Sequence, residues 1–227
     1  VDPFAAIVDH QDARGVWKHG QWTLAERVAR YPKAWIRRRL IQAIRERILA
    51  EGGLWIRISP FPHPYRSAFN FRVDLDEPFP DDYHRFAITR NLLSDCTTHF
   101  VSTHAYADLP TVLGDLHRHD TQSHGHFHYI YRDPESNLRN LERADRLLRE
   151  AGFAPTGFAA PHGRWNPGLD DAIESLGYRY STDFQLGYDD LPFFPWKNGR
   201  FSRVVQLPVH PVCEGLFLDA GVTDRRV

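Results

Sequence analysis

The sequence predicts an α/β fold built from parallel crossovers, with a helical region added at its N-terminus. Two observations carry this. From about residue 54 onward, short apolar or β-branched runs alternate with amphipathic helical runs. Carboxylates and histidines gather at the C-terminal ends of the expected strands, where parallel α/β folds place their functional side chains.

The chain has 227 residues, enough for one large domain or one domain with an extension. Its 42% hydrophobic and 13% aromatic content suits a packed core, and a formal net charge of -1 gives no global attraction to nucleic acid. Two distant cysteines, Cys96 and Cys213, make neither a disulfide framework nor a zinc ribbon. No apolar run reaches the roughly 18 residues that a membrane-spanning helix needs. The chain opens at Val1, contains no Met and shows no basic-then-apolar leader. It reads as a piece of a longer protein, and the expected compartment is the cytoplasm.

Residues 1–53 are expected to form the N-terminal helical extension, and residues 54–227 the main α/β domain. Thr23-Leu-Ala-Glu26 has capping-box spacing and points to a first helix. A second is expected over about 33–50, stopped by Gly52-Gly53. Ile36, Leu40, Ile44 and Ile48 recur every four residues, while Arg37, Arg38, Arg39, Arg45 and Arg47 are assigned to the other face. Residues 1–50 carry ten basic and five acidic side chains, so the rest of the chain is net acidic. Such a helix packs on its own domain, or makes a peripheral membrane or protein contact through residues 33–50.

Leu54–Ile58 reads as a strand, broken by the proline-rich run to Pro64. Ala68–Asp76 reads as another. Alternation along a strand puts Asp74 and Asp76 on one face. Two such carboxylates are costly side by side unless a cation or a proton lies between them. A helix is expected over about 82–93, a buried strand over 96–102 and a helix starting near Pro110. His99 and His104 read as packing or capping residues.

Five histidines then fall within twelve residues, His117, His119, His124, His126 and His128. His124 and His128 are four apart, and one helical turn would bring both imidazoles to one ion, with His126 pointing elsewhere. Any His-x-x-x-His pair arises readily by chance. Zinc needs at least three protein ligands, so a third must come from elsewhere, and the Asp74-Leu-Asp76 carboxylates are the candidates.

Residues 136–151 form a strong amphipathic helix with Leu138, Leu141, Ala144, Leu147 and Leu148 on one face, ended by Gly152. Residues 156–166 read as strand then loop, 167–176 as helix and 178–184 as strand. A loop over 185–200 is rich in aromatics and acids, suited to sugar binding or to ordinary packing. Val204–His210 is the last strand, with His210 at its C-terminal end.

Taken in order, Asp74-Leu-Asp76, Ser123-His124-Gly125 with His128, Phe158-Ala-Ala-Pro161-His162-Gly163 with Asn166, and Leu207-Pro-Val-His210 resemble the polysaccharide deacetylases of the NodB-homology group, carbohydrate esterase family 4. The resemblance covers roughly residues 54–218. It implies a distorted, incomplete (β/α) barrel and one divalent metal, often zinc. It implies metal ligation by Asp76, His124 and His128, with Asp74 as base and His210 as acid. Pro161 and His162 stand where the family has Pro-Tyr, whose backbone N–H faces the oxyanion, and Arg164 is a further substrate-binding candidate. The family's adjacent Asp-Asp pair is replaced by Asp-x-Asp, as in deformylase-like members. Its Arg before Pro-Tyr, which orients the base, is Ala159 here, and Arg72 or Arg164 could take its place.

The function implied is removal of an N-acyl group, acetyl or formyl, from an amino sugar or glycan, with carbohydrate as substrate and nucleic acid not a partner. Three other readings stay open. One is a catalytically impaired glycan-binding protein of the same fold, another a hydrolase of small amides, and the third a partner-binding domain using the basic helix.

Overall fold

The computed structural model describes residues 12–19, 22–29, 33–77, 93–106, 114–183 and 191–209. They belong to two compact units. One comprises Val1–Pro60, Phe184–Pro192 and Pro208–Val227, and the other Phe61–Asp183 with Phe193–Leu207.

In the first unit, β1 (Asp12–His19) and β2 (Trp22–Ala29) form an antiparallel hairpin. Strand β2 replaces the helix that the Thr23–Glu26 spacing suggested. Only eight residues separate Thr23 from Pro32, too few for a stable amphipathic helix, and the eight pairs of the hairpin satisfy the backbone instead. Helix α1 (Lys33–Ala50) forms where the four-residue recurrence placed it. Arg37 lies one turn before Ile41 and Arg47 three residues after Ile44, so these two interrupt the apolar stripe, while Arg38, Arg39 and Arg45 lie away from it. Leu40, Ile41, Ile44 and Leu49 are exposed. No helix among the described residues is long and apolar enough to cross a membrane.

Leu54–Ile58 is not a strand. It pairs with no strand among the described residues, and Leu54, Ile56 and Ile58 are exposed. The expected strand at 68–76 is trimmed to β3 (Phe71–Leu75). There follow β4 (Thr97–Val101), β5 (Asp120–Ser123), α2 (Pro134–Glu150), β6 (Gly157–Ala159), α3 (Pro167–Ser175) and β7 (Tyr180–Thr182). A small hairpin, β8 (Trp196–Lys197) with β9 (Arg200–Phe201), precedes β10 (Val205–Gln206). Most of the helix expected over 82–93, the start of the helix expected from Pro110, Cys213 and residues 185–190 of the aromatic loop lie outside the described residues.

The second unit is a six-stranded sheet in the order β10-β7-β6-β5-β4-β3, every pair parallel. Neighbours in space are neighbours in sequence, so the sheet winds one way only. That is the path of a (β/α) barrel, left open between β3 and β10, and not of a doubly wound sheet. Strand β4 is buried along its whole length, as a central parallel strand must be.

The crossover helices begin at sharp signals. Asp133 accepts the Ser136 N–H and Pro134 follows it, while Asn166 accepts the Leu169 N–H and Pro167 follows it. Helix α2 ends at Gly152, whose φ of 88° suits glycine. Its Leu141, Ala144 and Leu148 are fully buried, and truncating either leucine to alanine costs about 2–5 kcal/mol. Asn137 and Asn140 share that buried face.

Candidate metal centre

Sheet register brings the candidate residues together. Leu75 pairs with Val101, Val101 with Ser123, and Ser123 with Phe158. The next residue on each strand therefore lies on one row beyond the C-terminal edge: Asp76, Ser102, His124 and Ala159. Along β3, Val73 and Leu75 are buried in the core, so Arg72, Asp74 and Asp76 share the opposite direction.

Beyond Ser123 the chain leaves the sheet at once. Gly125 has a φ of 85°, and residues 124–131 form an irregular loop rather than a helix. His124 and His128 still meet, through the loop's curvature instead of a helical turn. The Nε2 of His124 lies 3.1 Å from Asp76 Oδ1, and that of His128 lies 3.4 Å from the same oxygen. All three ligand atoms lie within 4.8 Å of one another.

The protonation state can be read from the hydrogen bonds. His124 Nδ1 is 2.7 Å from the Ala159 carbonyl oxygen, which can only accept, so Nδ1 carries the proton. In the neutral ring Nε2 then holds a lone pair. It faces a carboxylate oxygen, and neither His124 Nε2 nor Asp76 Oδ1 has a hydrogen-bond partner although both are buried. Two acceptors at that distance repel unless a cation or a proton lies between them. Two imidazoles and a carboxylate suit zinc or a similar divalent ion, and a site with three protein ligands leaves coordination open.

Burial opposes the charge of Asp76, but His124 and His128, when protonated, outweigh it and hold the carboxyl below the usual range. Burial likewise opposes ionisation of Asp74, which the Arg72 guanidinium holds low. Arg72 donates from Nε to Asp74 Oδ1 at 2.6 Å and from Nη2 to Oδ2 at 2.5 Å, and from Nη1 to the Thr182 carbonyl at 2.9 Å. Asp74 Oδ2 is 3.9 Å from His124 Nε2, one carboxylate further from the ligand cluster than Asp76.

His162 has a φ of 56° and ψ of 18°, in the turn Pro161–Gly163. Its ring meets that of His128 edge-on, with centroids 4.6 Å apart. Pro161 is buried beneath it. Arg164 is exposed and makes no ion pair among the described residues, so of the two arginines it is Arg72 that reaches Asp74. His210 lies outside the described residues. His126 turns away, as expected: its Nδ1 is 3.0 Å from Thr103 Oγ1, and burial and Arg143 push its pKa down to about 4.

Three contributors escaped the sequence reading. Asn137 and Asn140 bond to the histidine loop, and the signal was available as two carboxamides within an otherwise apolar helical face. Asp183, just past β7, is buried and accepts from the Ala160 N–H at 3.1 Å and from the Ser181 hydroxyl at 2.7 Å. No sequence pattern announces it.

No protein-family model and no curated protein matches the chain. Solved structures similar to it include proteins described as a polysaccharide deacetylase, a family 4 carbohydrate esterase and a deacetylase. One is a Mycobacterium smegmatis protein described as a polysaccharide deacetylase, 20% identical over 69% of this chain and 64% of that one, with a TM-score of 0.49. A family 4 carbohydrate esterase from Streptomyces lividans, in complex with acetate, is 18% identical over 50% and 60%, with a TM-score of 0.43. The Streptococcus pyogenes deacetylase PplD, also in complex with acetate, is 14% identical over 77% and 75%, with a TM-score of 0.49. The chain spans less than two thirds of the length of the first two.

Proposed function

We propose that this chain is a metal-dependent hydrolase that removes an N-acyl group from an amino sugar or glycan. The observation that carries the reading is the pair of lone-pair atoms, His124 Nε2 and Asp76 Oδ1, facing each other 3.1 Å apart beside His128 and the arginine-held Asp74. Asp76, His124 and His128 would hold one divalent cation, zinc by the chemistry of the donor set. Such an ion supplies a water of lowered pKa and a Lewis acid for the acyl carbonyl.

Asp74 then takes the proton of the attacking water as general base. Its low pKa keeps it ionised and ready to accept, and Arg72 fixes which oxygen faces the site. The backbone N–H of His162 is assigned to the oxyanion, and losing one such donor typically costs about 10²–10³ in rate. His210 is assigned the proton for the departing nitrogen, at an ordinary histidine pKa near 6.5. The sugar part of the substrate comes from the motif resemblance alone. A second reading, an impaired glycan binder, draws on Ala159 standing where the family has its arginine, and the Arg72–Asp74 pair supports the hydrolase over it.

The test is zinc content and deacylation of N-acetylated chito-oligosaccharides, on wild type beside Asp74→Asn and His124→Ala. About one ion per chain and turnover are expected in wild type. Asp74→Asn should keep the ion and lose turnover, and His124→Ala should lose both. Full activity in Asp74→Asn would sink the assigned roles.

A further inference from the structure

The two histidines of the cluster are anchored in different ways. His124 is fixed through its ring, by the Nδ1 bond to Ala159. For His128 no hydrogen bond among the described residues holds Nδ1, and the ring leans on those of His162 and His124. Its place is therefore set by its backbone, in a loop with no regular structure of its own.

That backbone is gripped by one side chain. The Asn140 carboxamide, 5% exposed on the inner face of α2, accepts the Phe127 N–H at 2.8 Å through Oδ1. Through Nδ2 it donates to the carbonyls of Phe127 at 3.2 Å and Tyr129 at 3.4 Å. Phe127 and Tyr129 are the residues on either side of His128. A carboxamide is the group that can accept and donate at once; a carboxylate only accepts and an alkyl group does neither. Gly125 completes the fit, because a Cβ there would come 3.0 Å from Asn140 Nδ2 and 3.3 Å from the Phe127 carbonyl. One turn earlier Asn137 makes a similar pair of bonds, but to Tyr131, three residues past the ligand.

We infer that Asn140 is the positioning residue for His128, setting the third ligand of the metal centre from outside it. The inference rests on the metal reading proposed above. Loss of groups that orient metal ligands typically weakens metal binding about 10–100-fold. Asn137 serves the fold of the same loop without serving the ligand.

The test is zinc affinity by competition with a chromophoric chelator, with zinc X-ray absorption to count imidazole ligands. Asn140→Leu should weaken zinc binding about 10–100-fold and drop the count from two imidazoles to one. Asn140→Leu combined with His128→Ala should bind no more weakly than His128→Ala alone. Asn137→Leu should lower the unfolding temperature of the zinc-free protein yet leave zinc affinity within about twofold, in contrast with the loss expected when a ligand's support is removed. If Asn140→Leu does not fold, Asn140→Asp keeps the acceptor for Phe127 and removes both donors, and the same loss of an imidazole is expected. A wild type with two imidazoles and a variant with two, or losses that multiply in the double variant, overturn the role of Asn140 and leave the metal centre standing. A wild type that takes up no zinc overturns both.

Discussion

Arg72 grips Asp74 from two residues back on the same strand, with one nitrogen on each carboxylate oxygen. Strand alternation makes this possible, since residues i and i+2 project side by side. The planar guanidinium matches the carboxylate in a way a lysine ammonium does not. Arg72→Met is therefore expected to cut turnover by about 10²-fold while zinc content stays near one per chain, a cost in line with losing a strong charge-assisted pair. Arg72→Lys should recover little of it. Steady-state rates beside metal analysis decide this, and full activity in Arg72→Met would remove Arg72 from the machinery.

Asp76 Oδ1 and His124 Nε2 lie 3.1 Å apart with no hydrogen-bond partner, a contact that costs stability when the ring is neutral and no cation lies between them. Zinc should raise the unfolding temperature of wild type well above that in chelator, since a ligand bound only by the folded state stabilises it by mass action. In Asp76→Asn the amide can donate to His124 Nε2. The variant should melt no lower than wild type in chelator, and zinc should no longer shift it. Scanning calorimetry with zinc and with chelator checks both halves.

Periodicity suffices to place α2, because Leu141, Ala144 and Leu148 mark a buried stripe, and α3 starts at Pro167 as expected; the Asp133-Pro134 cap starts α2 two residues ahead of the expected 136. The direction shared by Asp74 and Asp76 was legible for the same reason, a period of two that needs no partner. Leu54–Ile58 misled because strand-like composition does not supply a neighbour to bond with, and Thr23–Glu26 because its capping pattern was overruled by pairing with Asp12–His19. The meeting of His124 with His128 was anticipated, but through the wrong device. A glycine with positive φ and a distant asparagine bend the loop, and neither is encoded in the four-residue spacing. Choosing Arg72 over Arg164 needed the register of β3 at the site.

Asp183 should leave a signature in the pH dependence of stability. Burial raises its pKa to about 6 from an ordinary 3.8. The folded state therefore favours its protonated form. Stability from this group is fully present below about pH 4, declines as pH rises towards about 6, and is flat above. The total is roughly 3 kcal/mol as an order of magnitude, since each pH unit of displacement is worth about 1.4 kcal/mol. Asp183→Asn can still accept from Ala160 and can donate to Ser181. It should be as stable as wild type at pH 4 and more stable at pH 7. Denaturant midpoints of both proteins across that range test it as a difference, which cancels the opposite trend of the low-pKa carboxyls Asp74 and Asp76.

Lys197 is fully buried, and its ammonium meets Asp170, Asp171 and Glu174 of α3. Asp170 is equally buried and also accepts from the Ser202 hydroxyl at 2.6 Å. Removing the cation leaves that carboxylate uncompensated, at a cost of about 3–5 kcal/mol. Lys197→Met is thus expected to lower the unfolding temperature by roughly 10 °C for a chain of this size. Adding Asp170→Asn should return part of the loss, because a neutral amide needs no counter-charge. The network joins the β8–β9 hairpin to α3 and touches none of the proposed ligands, so zinc affinity should be the same in all three proteins. A large drop in zinc affinity in Lys197→Met, measured well below its unfolding temperature, would instead place α3 among the elements that hold the metal centre.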